Sequence, residues 1–313
     1  MSNNTTSYMP WFFVLNIFTN IIASCQILLG LIFILIILCN RAWQSVSNCL
    51  AANIVFSITF YASTTLSISI HISQCDNHPN QCTKDSSHFF LYYINDVAST
   101  AVIYSFTIQS IHHLIAAIFA HHIRLQMYQI RLILCIIQWI VAFLFPFYFI
   151  YLNSQLKYDS ISYVWVVSEN LSPSLTVYIL LIGFILPFII ILSVYIKLTL
   201  FIARLRRSAA LTGLSSTFSS RHELKMSKYI ILLLSIALLS LLPETILQSM
   251  KPPPIYRHRI YYLTETMVTF CCLLCLCVCT AVVRQRLNRW KKKIKTAWQY
   301  RMEQSTAFHR NRY

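Results

Sequence analysis

Glycine and acidic charge are what this sequence has least of: three glycines and nine Asp or Glu in 313 residues, with 11% of the chain charged and 57% hydrophobic. A soluble domain of this length does not need so much apolar surface, and its charges would be spread along the chain. Here they are not, so the chain reads as a polytopic membrane protein. The scarcity of glycine and the lack of an internal repeat count against a transporter, whose discontinuous helices are often interrupted by Gly or Pro in matched halves. Catalytic motifs are missing too. Neither GxSxG nor HExxH occurs, and no paired carboxylates have supporting residues, which argues against an enzyme. The opening MSNNTTSYMP has no basic n-region and no small-residue cleavage site. The first apolar run is therefore expected to be a retained anchor that directs insertion.

What is present is length. Seven apolar runs occur, Trp11–Cys39, Leu50–Ile72, Phe89–Phe119, Ile133–Leu152, Leu175–Phe201, Tyr229–Ile246 and Tyr261–Val283, each near or above the roughly 20 residues that a spanning helix needs. The expected fold is all-α, a seven-transmembrane helix bundle over residues 11–283, with a tail at 1–10 and a cytoplasmic segment at 284–313. Seven spans put the two ends on opposite sides. Of the 25 Lys and Arg, only Lys84, Lys157, Lys251, Arg257 and Arg259 lie on the face that holds the N-terminus. Lys and Arg collect on the cytoplasmic side, so the N-terminus is expected outside, at the plasma membrane. The glycosylation triplets at Asn3, Asn4 and Asn170 all fall on that outer face, in keeping with the charge rule.

The formal charge of +16 sits between and after the apolar runs, where anionic inner-leaflet lipid explains it better than nucleic acid does. In RQRLNRWKKKIKTAW, Leu287, Trp290, Ile294 and Trp298 recur every three or four residues among Lys and Arg. That spacing describes a short amphipathic helix lying along the inner leaflet. The inside loop RLRRSAALTGLSSTFSSRHELK reads equally as a phosphorylation segment or a flexible linker. Of the eleven cysteines, only Cys75 and Cys82 lie in an outside loop, which makes a local disulfide the leading reading. The group Cys271, Cys272, Cys275, Cys277 and Cys279 reads as helix-interface packing rather than a metal site, since no loop supplies partners at zinc-like spacing. No cofactor is implied.

Several residues carry a family resemblance. Pro187 is followed eight residues later by Tyr195, Pro243 sits in SLLPE, and Glu223 lies twenty residues before it. Trp139 stands in the fourth run, and Asn48 and Asn53 stand early in the second. With the topology, these residues resemble the rhodopsin-like G-protein-coupled receptors over about 280 residues. The resemblance implies an extracellular ligand and a heterotrimeric G protein as partners, with His113, Tyr195, Glu223 and Pro243 in activation and coupling. Departures are specific. His112–His113–Leu114 stands where the family has Asp/Glu-Arg-Tyr, Ile58 where it has an aspartate, and Leu241 at its aromatic switch. Asn-Pro-x-x-Tyr is absent, and 153–173 holds no cysteine. These departures bear on activation and coupling more than on fold. Two readings of His113 stay open: a pH-sensitive pair with Glu223, given an ordinary histidine pKa near 6.5, or an uncharged polar cap.

Charge inside the spans suggests the ligand. An ionised group in hydrocarbon is costly, so Asp96, in the long run Ser87–Phe119, should face other helices or water. It lies 17 residues before His113, about 25 Å along a helix and toward the outside. Glu244 follows the sixth-run proline, and Glu265 is one turn into the seventh run. In the family's layout these outer parts enclose the pocket. Tyr92, Tyr93, Tyr163, Trp165, Tyr261 and Tyr262 are nearby in sequence. Carboxylates beside aromatic faces suit a cation. The expected ligand is an amine or a basic peptide, with Asp96 as counter-ion and Tyr92, Glu244, Glu265 and Tyr262 around it. Asn95, not Asp96, aligns with the family's amine-binding aspartate, and the acids could instead bond internally to Arg257 or Arg259. The rival functions are a divergent chemosensory receptor for neutral molecules and an ion transporter or channel.

Overall fold

The structure, a computed structural model, describes residues 9–39, 46–77, 86–118, 128–147, 156–159, 164–167, 177–178, 181–212 and 254–280. The sixth apolar run with Glu223, Pro243 and Glu244, the segment 284–313, and Asn3, Asn4, Asn170 and Cys82 lie outside the described residues. Six long α-helices are described: α1 (Met9–Cys39), α2 (Val46–Asn77), α3 (Ser86–Ile118), α4 (Tyr128–Leu144), α5 (Leu186–Thr212) and α6 (Pro254–Cys279), the last being the seventh apolar run. Between α4 and α5 the chain forms an antiparallel pair, β1 (Leu156–Asp159) and β2 (Val164–Val167), in the register Leu156 to Val167 and Asp159 to Val164. The outer segment 153–173 is thus partly a hairpin rather than an irregular loop.

Hydropathy marks the membrane slab, and the helices overrun it. α2 continues past Ile72 to Asn77, α5 past Phe201 to Thr212, and α6 begins at Pro254 rather than Tyr261. Cys75, Asp76 and Arg259 are consequently helical. Outside hydrocarbon a helix needs no apolar residues, and Pro254 fits a first turn because its missing N–H has no helical partner there. α4 is shorter than its apolar run. It ends at Leu144, before a turn at Phe145 and Pro146, because proline cannot donate and restricts the residue before it.

Four described stretches are long and apolar enough to cross a membrane: Phe13–Cys39, Asn48–Asn77, Leu181–Phe201 and Arg259–Val278. On helices so apolar, size and polarity decide the buried face. In α1, Ala23, Gln26, Gly30, Phe33 and Ile37 repeat every three or four residues on the buried face, while Ile21, Leu28, Leu31, Leu35 and Leu38 point outward. α1 packs on α2 and α6, α2 on α3, and α3 on α4 and α5. The main core joins Phe33 and Ile37 of α1, Ile54, Val55, Ile58 and Tyr61 of α2, Ala98 and Val102 of α3, and Cys272, Leu273 and Leu276 of α6. Gly30 permits the closest approach. A Cβ there would collide with Thr59 Oγ1 on α2.

Polar side chains stitch these helices together. Gln138 of α4 donates to the Ala101 carbonyl of α3 at 2.9 Å and accepts from Asn53 Nδ2 of α2 at 2.7 Å. The Trp139 indole donates to Asn53 Oδ1 at 3.2 Å. Ahead of α5, Leu181–Ile185 forms a π turn. In that pattern the donor to the Ile182 carbonyl is five residues on, which is Pro187 and has no N–H. The Tyr104 hydroxyl of α3 takes its place at 2.9 Å.

The strongest tie joins the last turn of α2 to the start of α6. Arg259 of α6 grips Asp76 of α2 with both terminal guanidinium nitrogens, Nη1 to Oδ2 at 2.7 Å and Nη2 to Oδ1 at 2.8 Å. Asn16 of α1 donates to the same Oδ2 at 3.3 Å. The arginine side chain is 2% exposed and the aspartate 24%, so removing the acid strands the better-buried charge. Asp76→Asn should therefore destabilise by about 3 kcal/mol and Arg259→Gln by less, with the double variant recovering part of the loss; thermal unfolding in detergent measures all three. Tyr104→Phe should cost about 1–3 kcal/mol in the same assay, because it leaves the Ile182 carbonyl without its donor.

Candidate ligand site in the outer half of the bundle

α3 and α6 run in the same direction, and each presents a stripe with helical spacing. On α3 the residues are Tyr92, Asp96 and Ser99; on α6 they are Tyr262, Glu265 and Thr269. Steps of three or four residues keep a stripe on one face. The two stripes meet. Ser99 Oγ donates to Glu265 Oε1 at 2.9 Å, and Tyr262 packs against the cluster that Tyr92 forms with Ile68 and Ile72 of α2. Asp96 thus stands one turn, about 5 Å, outward of the Ser99 and Glu265 contact. From α2, the fully buried Tyr61 brings its hydroxyl to Glu265 and Thr65.

Aromatic side chains build the surroundings. Tyr92 packs with Ile68 and Ile72 of α2, and Leu91 and Tyr262 lie against that group. Tyr261 and Tyr262 meet edge to face with ring centroids 5.7 Å apart. Tyr93 turns to the other side of α3, where its hydroxyl donates to the Phe143 carbonyl of α4 at 2.7 Å. Two tyrosines adjacent in sequence therefore serve different neighbours.

The Asn95 and Asp96 pair is separated in the same way. Asn95 is buried, and its Oδ1 accepts from Thr64 Oγ1 at 2.8 Å and Thr65 Oγ1 at 3.1 Å. It holds α3 to α2. Asp96, about 100° further round the helix, is half-buried. Arg259 is paired with Asp76.

At the inner end of α3, His112 is buried and stacks on His113 with ring centroids 5.6 Å apart. Tyr195 of α5 packs with Leu198 and with Leu114, the neighbour of His113. Cys75 is fully buried in the last turn of α2, with Sγ 3.6 Å from His71 Nε2. Among the described residues no group of three or more His, Cys, Asp or Glu could hold a metal ion.

Sequence reading overlooked Ser99, Tyr61 and Asp76. A signal for Ser99 exists: it is three residues after Asp96, so it shares that face. Tyr61 and Asp76 carry no such signal, because their partners are far away in the chain.

No protein-family model matches the sequence, and neither does any curated protein. Solved structures do. Squid rhodopsin superimposes with a TM-score of 0.73 over 92% of this chain and 87% of its own, at 15% identity. The chain shares the fold of squid rhodopsin. That fold is a seven-helix membrane bundle, and α6 corresponds to the seventh apolar run. Asn53 and Trp139, two residues of the resemblance, are hydrogen-bonded within it.

The division of labour on α3 predicts opposite responses. Asn95→Ala should lower unfolding free energy by about 1–3 kcal/mol, since it deprives two buried threonine hydroxyls of their acceptor. Asp96→Asn should leave it unchanged or raise it, because it removes one of two neighbouring negative charges. Thermal unfolding in detergent separates the two; equal losses would mean that Asp96 is structural.

Proposed function

We propose that this protein is a receptor that binds an extracellular cation, an amine or a basic peptide, in the outer half of its helix bundle and signals to cytoplasmic partners. The observation that carries the reading is the contact of α3 with α6 at Ser99 Oγ and Glu265 Oε1, 2.9 Å apart, with Asp96 about one turn away on the same face of α3. Ionisable groups at such depth mark functional positions, and tyrosine faces add cation–π attraction. Asp96 is the counter-ion, with Tyr92, Tyr262 and Glu265 around it. Glu244 is the third acid of the site.

The receptor fold supports the remaining assignments. The protein resides in the plasma membrane with its N-terminus outside, glycosylated at Asn3, Asn4 and Asn170. A disulfide joins Cys75 to Cys82 in the oxidising exterior. On the cytoplasmic side, His113, Tyr195, Glu223 and Pro243 form the coupling end that meets a heterotrimeric G protein. The basic segment 284–313 binds anionic lipid as an amphipathic helix.

A thermal-shift screen of the purified protein tests the ligand class without depending on coupling. The screen compares 2-phenylethylamine, short lysine-rich peptides and neutral alcohols such as 2-phenylethanol. A cation at 100 times its Kd should stabilise by about 2.7 kcal/mol, and Asp96→Asn should abolish the shift with its own unfolding intact. Stabilisation by neutral compounds alone would overturn the reading in favour of a chemosensory receptor for uncharged molecules.

A further inference from the structure

Among the polar atoms enclosed by the bundle, two oxygens without a hydrogen-bond partner are brought to one place by the bonds around them. The first is Glu265 Oε2 of α6; the second is the hydroxyl of Tyr61 of α2, a side chain with 0% exposure. Thr65 Oγ1 of α2 donates to Asn95 Oδ1 of α3 at 3.1 Å. The two helices run in opposite directions, since Ile68 and Ile72 cluster with Tyr92 whereas Tyr61 clusters with Ala98 and Val102. One turn back along α2 from Thr65 is Tyr61, and it stands opposite the residue one turn on from Asn95, which is Ser99. Ser99 Oγ in turn donates to Glu265 Oε1 at 2.9 Å. Tyr61, Ser99 and Glu265 thus converge from three helices.

A carboxylate enclosed with one oxygen bare is costly, and a bare phenol oxygen beside it adds to the cost. The donor set says what relieves both. Tyr61, Ser99 and Glu265 offer oxygen alone, which suits hard cations rather than the softer metals that take thiolate or imidazole. One carboxylate balances one positive charge, whereas calcium sites draw on several carboxylates and magnesium keeps several waters. Neutral oxygens such as those of Tyr61 and Ser99 replace an ion's hydration shell, as carbonyls do in cation-selective pores. The group is closed on one side by Ile58, which lies three residues before Tyr61 on the same face of α2 and is fully buried. We propose that Tyr61, Ser99 and Glu265 form an interior site for a small monovalent cation, held through Glu265 Oε2 and the Tyr61 hydroxyl. Such a site needs no receptor ligand, so the inference goes beyond the function proposed above and stands apart from it.

The test follows thermal unfolding of the full chain in detergent, with no receptor ligand present, across a range of sodium chloride concentrations. N-methylglucamine chloride at equal concentrations, with a far larger cation, controls for ionic strength. Sodium should stabilise the wild type in a saturable way that the control salt does not reproduce. Glu265→Gln should lose that response. Without sodium it should also unfold at a higher temperature than wild type, because the amide keeps an acceptor for Ser99, supplies a donor for Tyr61 and carries no charge. A carboxylate with a merely structural role would give the reverse order. Tyr61→Phe and Ser99→Ala keep the carboxylate and remove one oxygen each, so each should raise the sodium concentration of half-maximal effect by roughly tenfold, as for loss of one bond to a charged group. These two variants carry the test if Glu265→Gln does not accumulate as folded protein. A wild type that responds alike to both salts would overturn the inference. So would a wild-type sodium response in Glu265→Gln, or an unchanged half-maximal concentration in both other variants. None of these results bears on the ligand reading, which is measured separately.

Discussion

Hydrocarbon offers a polar side chain no partner, so most such groups carried into these helices are bonded inside the bundle. The short ones solve this locally. Ser57, Thr59, Ser63, Thr107 and Ser110 return their hydroxyls to the carbonyl four residues earlier. Longer ones cannot, and they reach across. Gln138 and Asn53 join α4, α3 and α2; Asn95 joins α3 to α2; Tyr104 joins α3 to the turn ahead of α5; Ser99 and Glu265 join α3 to α6. Apolar packing is nearly indifferent to which helices are neighbours, because lipid is as apolar as leucine. The polar bonds are not indifferent.

Charge follows the same constraint with higher stakes. A buried guanidinium is tolerable only when a carboxylate meets it with good geometry, and Asp76 does so from the last turn of α2. The missing cysteine in 153–173 adds to the interest of that pair. With no disulfide possible from α3 to that segment, the ion pair with Asn16 is a non-covalent tie among three helices.

Much of this was legible along the chain because its causes are local. Apolar runs reveal spans, since each residue faces lipid or core on its own account. Spacing placed Asp96 in the outer half of α3, and Asn53 and Trp139 stood out before they proved to be bonded. Helix ends were less legible. Hydropathy reports where lipid stops, so Asp76 and Arg259 looked like loop residues although both are helical. The π turn was hidden as well, because its carbonyl is served by Tyr104, 78 positions away.

The sequence by itself determined the helical membrane class of the protein and the apolar runs from which its long helices form. Transfer between water and lipid depends on each residue's own chemistry, so these properties add up along the chain. Only the tertiary structure decided which of two adjacent residues, Asn95 or Asp96, turns to α2, and which acid takes Arg259. Those outcomes depend on how helices are rotated and where they meet. A rotation of 100° separates neighbours on a helix, and the hydrogen bonds that settle it join residues tens to hundreds of positions apart.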